Sequence, residues 1–170
     1  MSGMTRILGI DPGSRVTGFG VIDSDGRRSV HVAHGAIAVG AGELPERLGR
    51  IFARVLEVVE THQPAVLAIE DVFMARNAAS ALKLGQARGA AICAGVTRGL
   101  AVSEYSPREI KQAVVGTGAA DKAQIQHMIR ALLGLRGPVP ADAADALAVA
   151  LCHAHTASSM ARIGRAGGRS

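Results

Sequence analysis

The chain holds 170 residues, 48% of them apolar, with a formal net charge of +5. That length suits a single domain with a full core, no run approaches the about 18 apolar residues of a membrane span, and the opening MSGMTR lacks the apolar segment of a secretory signal. The positive charge fits a polyanionic partner, nucleic acid being the commonest, although 16 Arg against 3 Lys also fits GC-rich coding.

Residues 5–11, TRILGID, predict a buried strand, and 17–23, TGFGVID, its hairpin partner across Pro12, Gly13 and Ser14. Ser24-Asp25-Gly26 turns the chain into a third strand over 29–39. Leu44, Leu48, Ile51, Val55, Val58 and Val59 recur at helical spacing, so 43–62 predicts a helix that Gln63-Pro64 ends. AVLAIED, 65–71, is a short strand of buried type that finishes in acids. After the loop FMARN, a helix is expected over 77–98. Its small residues Gly85, Gly89, Ala90 and Ala94 permit close packing, inside one subunit or across a dimer.

LAVSEY, 100–105, predicts a fifth strand, and Pro107 opens a helix to 115. Asp121 is placed to cap a helix running to 133, and an Ala-rich helix is expected over 141–155. The small, basic tail 157–170 is expected to be disordered, leaving one domain over 1–156. Cys93 and Cys152 lie in apolar helical patterns and read as buried, reduced thiols of a cytoplasmic protein. The order β-β-β-α-β-α-β-α-α-α places the chain in the α/β class, with a mixed five-stranded sheet and helices on its faces.

Four acids stand out by position. Asp11 ends the first strand, Glu70 ends the fourth, and Asp142 and Asp145, three apart, share one face of the last helix. If the first and fourth strands are parallel neighbours, Asp11 and Glu70 meet at the edge where open sheets place their sites. If the last helix crosses that edge, four carboxylates converge and need a cation. All-oxygen ligands without nearby Cys or His point to Mg²⁺ or Mn²⁺, two of which form a clamp for phosphodiester cleavage. Asp142 equally suits a helix cap with Asp145 completing a near capping box. Asp11 equally suits a turn, and Glu70-Asp71 a solvated strand end. The small residues beside Asp11 are expected to leave room for a phosphate and its metals.

ILGIDPGSRVTGFGVI, AIEDVFMARNAASALKLGQARGAAI, AVVGTGAADKAQIQHMI and ADAADALAVALCHAH together resemble the RuvC family of bacterial Holliday junction resolvases, over residues of about 6–155. The resemblance implies an RNase H-like fold with helices on both faces of the sheet, and a homodimer. It implies Mg²⁺-dependent cutting of four-way DNA junctions in recombination and repair, by paired symmetric nicks that leave 5′-phosphate and 3′-hydroxyl ends. It also implies two ions per site, with Mn²⁺ as a substitute, and the branch-migration complex RuvA and RuvB as partner. The family's catalytic, metal-binding acids fall on Asp11, Glu70, Asp142 and Asp145. Its junction-contacting aromatic falls on Phe73, and its basic positions that contact DNA or support catalysis fall on Lys111 and Lys122. Two positions depart from it: Asp71 stands where relatives have Gln, and Arg76 where they can have Lys. Strand alternation points Asp71 away from Glu70.

Phe73, three residues past Glu70, reads with the family as a wedge that stacks on an unpaired base, a contact worth about 1–3 kcal/mol. Arg76, Asn77 and Lys83 flank the same loop and suit phosphate contacts. Lys122, after a glycine-rich loop, suits steadying a phosphate or the attacking water. GTGAADK lacks the G-K-[ST] ending of a Walker loop. His153 and His155 face different sides of their helix and are not expected to chelate one ion. DPGSRVTG also resembles the phosphate loop of actin-like ATPases and sugar kinases, which need two such domains and a longer chain. Two other functions stay open: a nuclease for RNA or RNA/DNA hybrids, which the acids would serve equally, and a junction-binding scaffold without chemistry.

Overall fold

The computed structural model describes residues 3–71 and 77–167. Strands β1 (Thr5–Asp11), β2 (Val16–Ser24) and β3 (Ser29–Ala38) form an antiparallel meander. Helix α1 (Leu44–His62) carries the chain to β4 (Val66–Glu70), which pairs parallel to β1. Helix α2 (Ala78–Val96) leads to β5 (Ala101–Tyr105), parallel to β4, and α3 (Pro107–Val115), α4 (Lys122–Leu133) and α5 (Ala141–Gly167) follow. The sheet order is β3-β2-β1-β4-β5. The mixed sheet and its flanking helices are those expected from the element order.

The period of two along the strands sorts the side chains into two cores. Leu8, Ile10, Leu67 and Ile69 point to the face covered by α1 and α2, while Ile7, Ile22 and Ala68 point to the face covered by α3, α4 and α5. Leu8, Ile10, Leu67 and Ile69 are fully buried, and each such side chain contributes about 1.5–3 kcal/mol. By the same alternation, Asp11 follows Ile7 and Gly9 on the α5 face, and Glu70 follows Ala68 there.

Local chemistry sets the helix ends. Gln63 closes α1 in the left-handed region, φ 52°, with its N–H on the Val59 carbonyl, and Pro64 follows. Ser106 and Glu109 form a capping box on α3, with Pro107 in its first turn. Asp121 caps α4 as expected, its Oδ1 accepting from Gln124 N–H at 2.8 Å while Gln124 Oε1 accepts from Asp121 N–H at 2.9 Å.

Two expectations need correction. The last helix does not stop at 155: α5 continues to Gly167, through most of the tail expected to be disordered. Ala157, Met160 and Ala161 are good helix formers, and no Pro or Gly interrupts residues 156–163. Cys93 is exposed on α2, whereas Cys152 is buried as expected. Small residues surround α2 on every side, so its sequence carries no stripe to say which positions face inward. The glycines of β1 and β2 near Asp11 also seat the last helix. A Cβ at Gly9 would sit 2.0 Å from the Ala146 carbonyl oxygen, and one at Gly18 would sit 2.0 Å from that of Asp142. These two positions let α5 lie with its backbone directly on β1 and β2. Among the described residues, no helix is long and apolar enough to cross a membrane.

Candidate active site

In the register of β1 and β4, Ile10 pairs with Ile69, so Asp11 and Glu70 come next and stand side by side at the carboxyl ends of two parallel strands. Helix α5, seated on Gly9 and Gly18, brings its first turns over the same edge. Asp142 and Asp145 therefore join Asp11 and Glu70 in lining one cleft, together with Lys111 from α3 and Lys122 from α4. Five elements converge on one end of the sheet, and the four acids expected to act together are together.

Capping does not account for Asp142. Ala144 N–H donates to the Pro140 carbonyl at 2.9 Å, which makes Pro140 the capping position and places Asp142 inside the first turn. Lys122 opens α4, where the helix dipole disfavours a cation. What it faces explains it: its Nζ lies 3.7 Å from Asp145 Oδ2. A local rule broken at this spot is a mark of a working site.

The electrostatics are those of an anionic cluster that its two lysines only partly offset. Burial, then the charges of Asp145, Glu70 and Asp142, push Asp11 up to about 8, with Lys122 opposing. Burial and Asp145 raise Glu70 against the pull of Lys122 and Lys111. Asp145 is raised by burial and by Asp142, with Lys122 again lowering it. Such a set favours a bound cation over bare charge. Among the described residues, no three His, Cys, Asp or Glu side chains are gathered tightly enough to hold an ion by themselves.

The other expected residues are dispersed. Phe73 and Arg76 lie outside the described residues. Asn77 caps α2, its Oδ1 accepting from Ser80 N–H at 2.9 Å. Lys83 is exposed on α2 and does not line the cleft. His153 Nδ1 bonds with the Tyr105 hydroxyl at 2.7 Å and His155 Nδ1 with the Ala113 carbonyl at 2.9 Å, so the two rings serve separate packing contacts. Asp71 turns to the opposite face from Glu70 and lies 4.0 Å from Arg88 Nη2.

Arg88 itself was not anticipated. From α2 its Nε donates to the Glu70 carbonyl at 3.3 Å, and its Nη2 pairs with Glu104 at 2.5 Å. It ties the ends of β4 and β5 together behind the cleft. One signal was available: Arg88 is the only charged residue between Leu84 and Val96.

The family model for crossover junction endodeoxyribonuclease RuvC matches residues 7–153. A crossover junction endodeoxyribonuclease RuvC of Photobacterium profundum is 62% identical over 90% of this chain and 88% of its own. One from Pseudomonas fluorescens is 59% identical over 92% and 90%. Among solved structures, Thermus thermophilus RuvC in complex with a Holliday junction substrate has a TM-score of 0.87 at 38% identity, covering 92% of this chain and 96% of that one. The yeast mitochondrial Holliday junction resolvase Ydc2 shares the fold, with a TM-score of 0.68 at 12% identity, covering 93% and 82%. With its RNase H-like sheet and the match over nearly its whole length, the chain belongs to the RuvC family of crossover junction endodeoxyribonucleases.

Proposed function

We infer that the chain resolves four-way DNA junctions by hydrolysing one phosphodiester in each of two opposed strands. The observation that carries this reading is the convergence of Asp11, Glu70, Asp142 and Asp145 on one cleft with Lys111 and Lys122 beside them. The Thermus thermophilus relative, solved with a Holliday junction substrate, supports the choice of substrate.

Asp11, Glu70, Asp142 and Asp145 would hold two divalent cations, Mg²⁺ with Mn²⁺ as substitute. When bound, such ions supply a Lewis-acid clamp on the scissile phosphate and a more acidic water. Lys122 would hold a non-bridging phosphate oxygen while its charge also restrains Asp145, and Lys111 would do the same from α3. Water oxygen forms the new bond to phosphorus as the bond to the 3′ oxygen breaks. Water gives up a proton and the 3′ oxygen gains one, leaving 5′-phosphate and 3′-hydroxyl ends. A C2 homodimer would present one cleft to each of two opposed strands, with Phe73, Arg76, Asn77 and Lys83 on the DNA side. Work in the cytoplasm beside the branch-migration complex RuvA and RuvB completes the reading.

The test is a cleavage assay with a four-way junction labelled on each strand in turn, in Mg²⁺ and in Ca²⁺. A linear duplex and an RNA/DNA hybrid run beside it. Paired symmetric nicks confined to the junction, and only with Mg²⁺, are the expected result. Cutting of the hybrid instead would move the chain to RNA-directed chemistry, and tight binding without nicks would make it a scaffold.

The cluster also sets a pH dependence that needs no substrate. Without metal, the folded protein keeps a proton on Asp11 up to about 8, while the unfolded chain loses it near 3.8. The folded state therefore binds more protons between those values, and stability falls as pH rises through that window, by at most about 1.4 kcal/mol per unit. A divalent cation competes with the same proton. The rise in Tm on adding Mg²⁺ should be larger at about pH 8.5 than at about pH 6. Thermal unfolding at both values checks it, and a Mg²⁺ effect of equal size at both would count against Asp11 as a ligand.

A further inference from the structure

A second concavity lies at the far end of the sheet. Thr5 pairs with Ser24 at one end of the β1–β2 ladder and Asp11 with Gly18 at the other, a separation of about 20 Å at 3.4 Å per residue. Beyond the Ser24 end, the turn from β2 to β3, the last turn of α4 and the middle of α5 enclose a cleft of about 370 Å³. Leu151 forms part of its floor, and Val30 and Leu132 line it while staying 37% and 43% exposed. Arg27, Arg28 and His155 also line it.

This cleft is built. Asp25 Oδ1 accepts from the backbone N–H groups of Arg27 and Arg28 at 2.8 Å each, which fixes the turn. Gly26 is pressed against α5, where a Cβ would meet that of Ser158 at 2.6 Å. His155 is held by the Ala113 carbonyl. Neither Arg27 nor Arg28 forms an ion pair with any described residue.

We propose that this cleft docks an acidic peptide segment of a partner protein, one apolar side chain entering between Val30 and Leu132 while flanking carboxylates meet Arg27 and Arg28. Two observations select that occupant. Exposed large apolar side chains gathered around a concavity mark a recognition site, and a duplex backbone has no group to fill an apolar floor. Two unpaired guanidinium groups on the rim complement carboxylates, which they bind in forked geometry. The cleft is remote from the acids yet joined to them by α5, so a partner bound there leaves the catalytic edge open to DNA.

The test uses the full chain, uniformly ¹⁵N-labelled, titrated with the acetylated, amidated peptide Asp-Glu-Asp-Leu-Phe-Asp-Glu to about 1 mM, a range that captures dissociation constants up to about 1 mM. Saturable amide shifts centred on Val30, Leu132, Leu151 and His155 are expected. The peptide with Ser in place of Leu and Phe should bind at least about tenfold more weakly. Arg27→Ser with Arg28→Ser, both on an exposed turn, should weaken the parent peptide by a similar factor while junction cutting persists. Shifts scattered over the basic surface, equal binding of the Ser peptide, no saturable shift, or displacement of the peptide by junction DNA would each overturn the proposal, the last assigning the cleft to nucleic acid.

Discussion

Asp11→Asn is expected to abolish junction cutting, by about 10³-fold or more, while leaving the protein folded and able to bind the junction. Asn is nearly isosteric and keeps an oxygen, so the packing against α5 survives. What it loses is the negative charge that a divalent cation needs, and several kcal/mol of transition-state stabilisation are lost with it. The variant should also be more stable than the parent when both are free of metal at about pH 8.5. There the parent must ionise Asp11 in a half-buried cluster that already pushes it up to about 8, whereas Asn carries no charge. Addition of Mg²⁺ should then raise the Tm of the parent more than that of the variant. Gel-based cleavage, junction binding in Ca²⁺ and thermal unfolding with and without Mg²⁺ check the three parts. A variant that cuts normally, or one whose metal-free Tm drops by many degrees, would mean that Asp11 is a structural turn residue after all.

Much of the frame was legible in the sequence. Continuous apolar runs place β1 and β4, helical spacing places α1, Pro107 opens α3 and Asp121 caps α4, and the boundaries fall within a residue or two because Pro64, Pro107 and Asp121 are strong local signals. Asp11 and Glu70 could be picked out only jointly with the two acids of the last helix, because a turn explains Asp11 by itself and a solvated strand end explains Glu70. Asp142 could not be separated from a cap, since only the bond from Ala144 to the Pro140 carbonyl shows where the helix begins. The exposure of Cys93 was hidden because α2 lacks an amphipathic stripe, and the reach of α5 because nothing marks a stop. Arg88 was hidden for another reason: its partners, the Glu70 carbonyl and Glu104, are remote in sequence and come to it only through the sheet order.

The glycines that seat α5 yield the second large effect. Gly18 stands directly opposite Asp11 in the β1–β2 ladder. A methyl group there would meet Asp142 three times over: its carbonyl oxygen at 2.0 Å, its carbonyl carbon at 2.4 Å and its Cβ at 3.0 Å. The obstacle is backbone, which cannot swing away as a side-chain tip would. Ordinary contact requires the first turn of α5 to lift by about 1.4 Å, and Asp142 lifts with it. Overpacking of this kind typically costs about 1–3 kcal/mol, and Gly18→Ala should fall at or above the top of that range. The catalytic loss should exceed what stability explains, because a displacement of about 1 Å in a catalytic group costs on the order of 10²-fold. Cutting is therefore expected to fall at least that far even well below the Tm of the variant. Gly49→Ala is the matched control: it lies on the exposed face of α1 with nothing within 4 Å of the added methyl, and it should stabilise by up to about 1 kcal/mol without touching the rate. If Gly18→Ala keeps both the Tm and the rate of the parent, α5 is not seated by that glycine, and the placement of Asp142 must rest on the remaining α5 contacts alone.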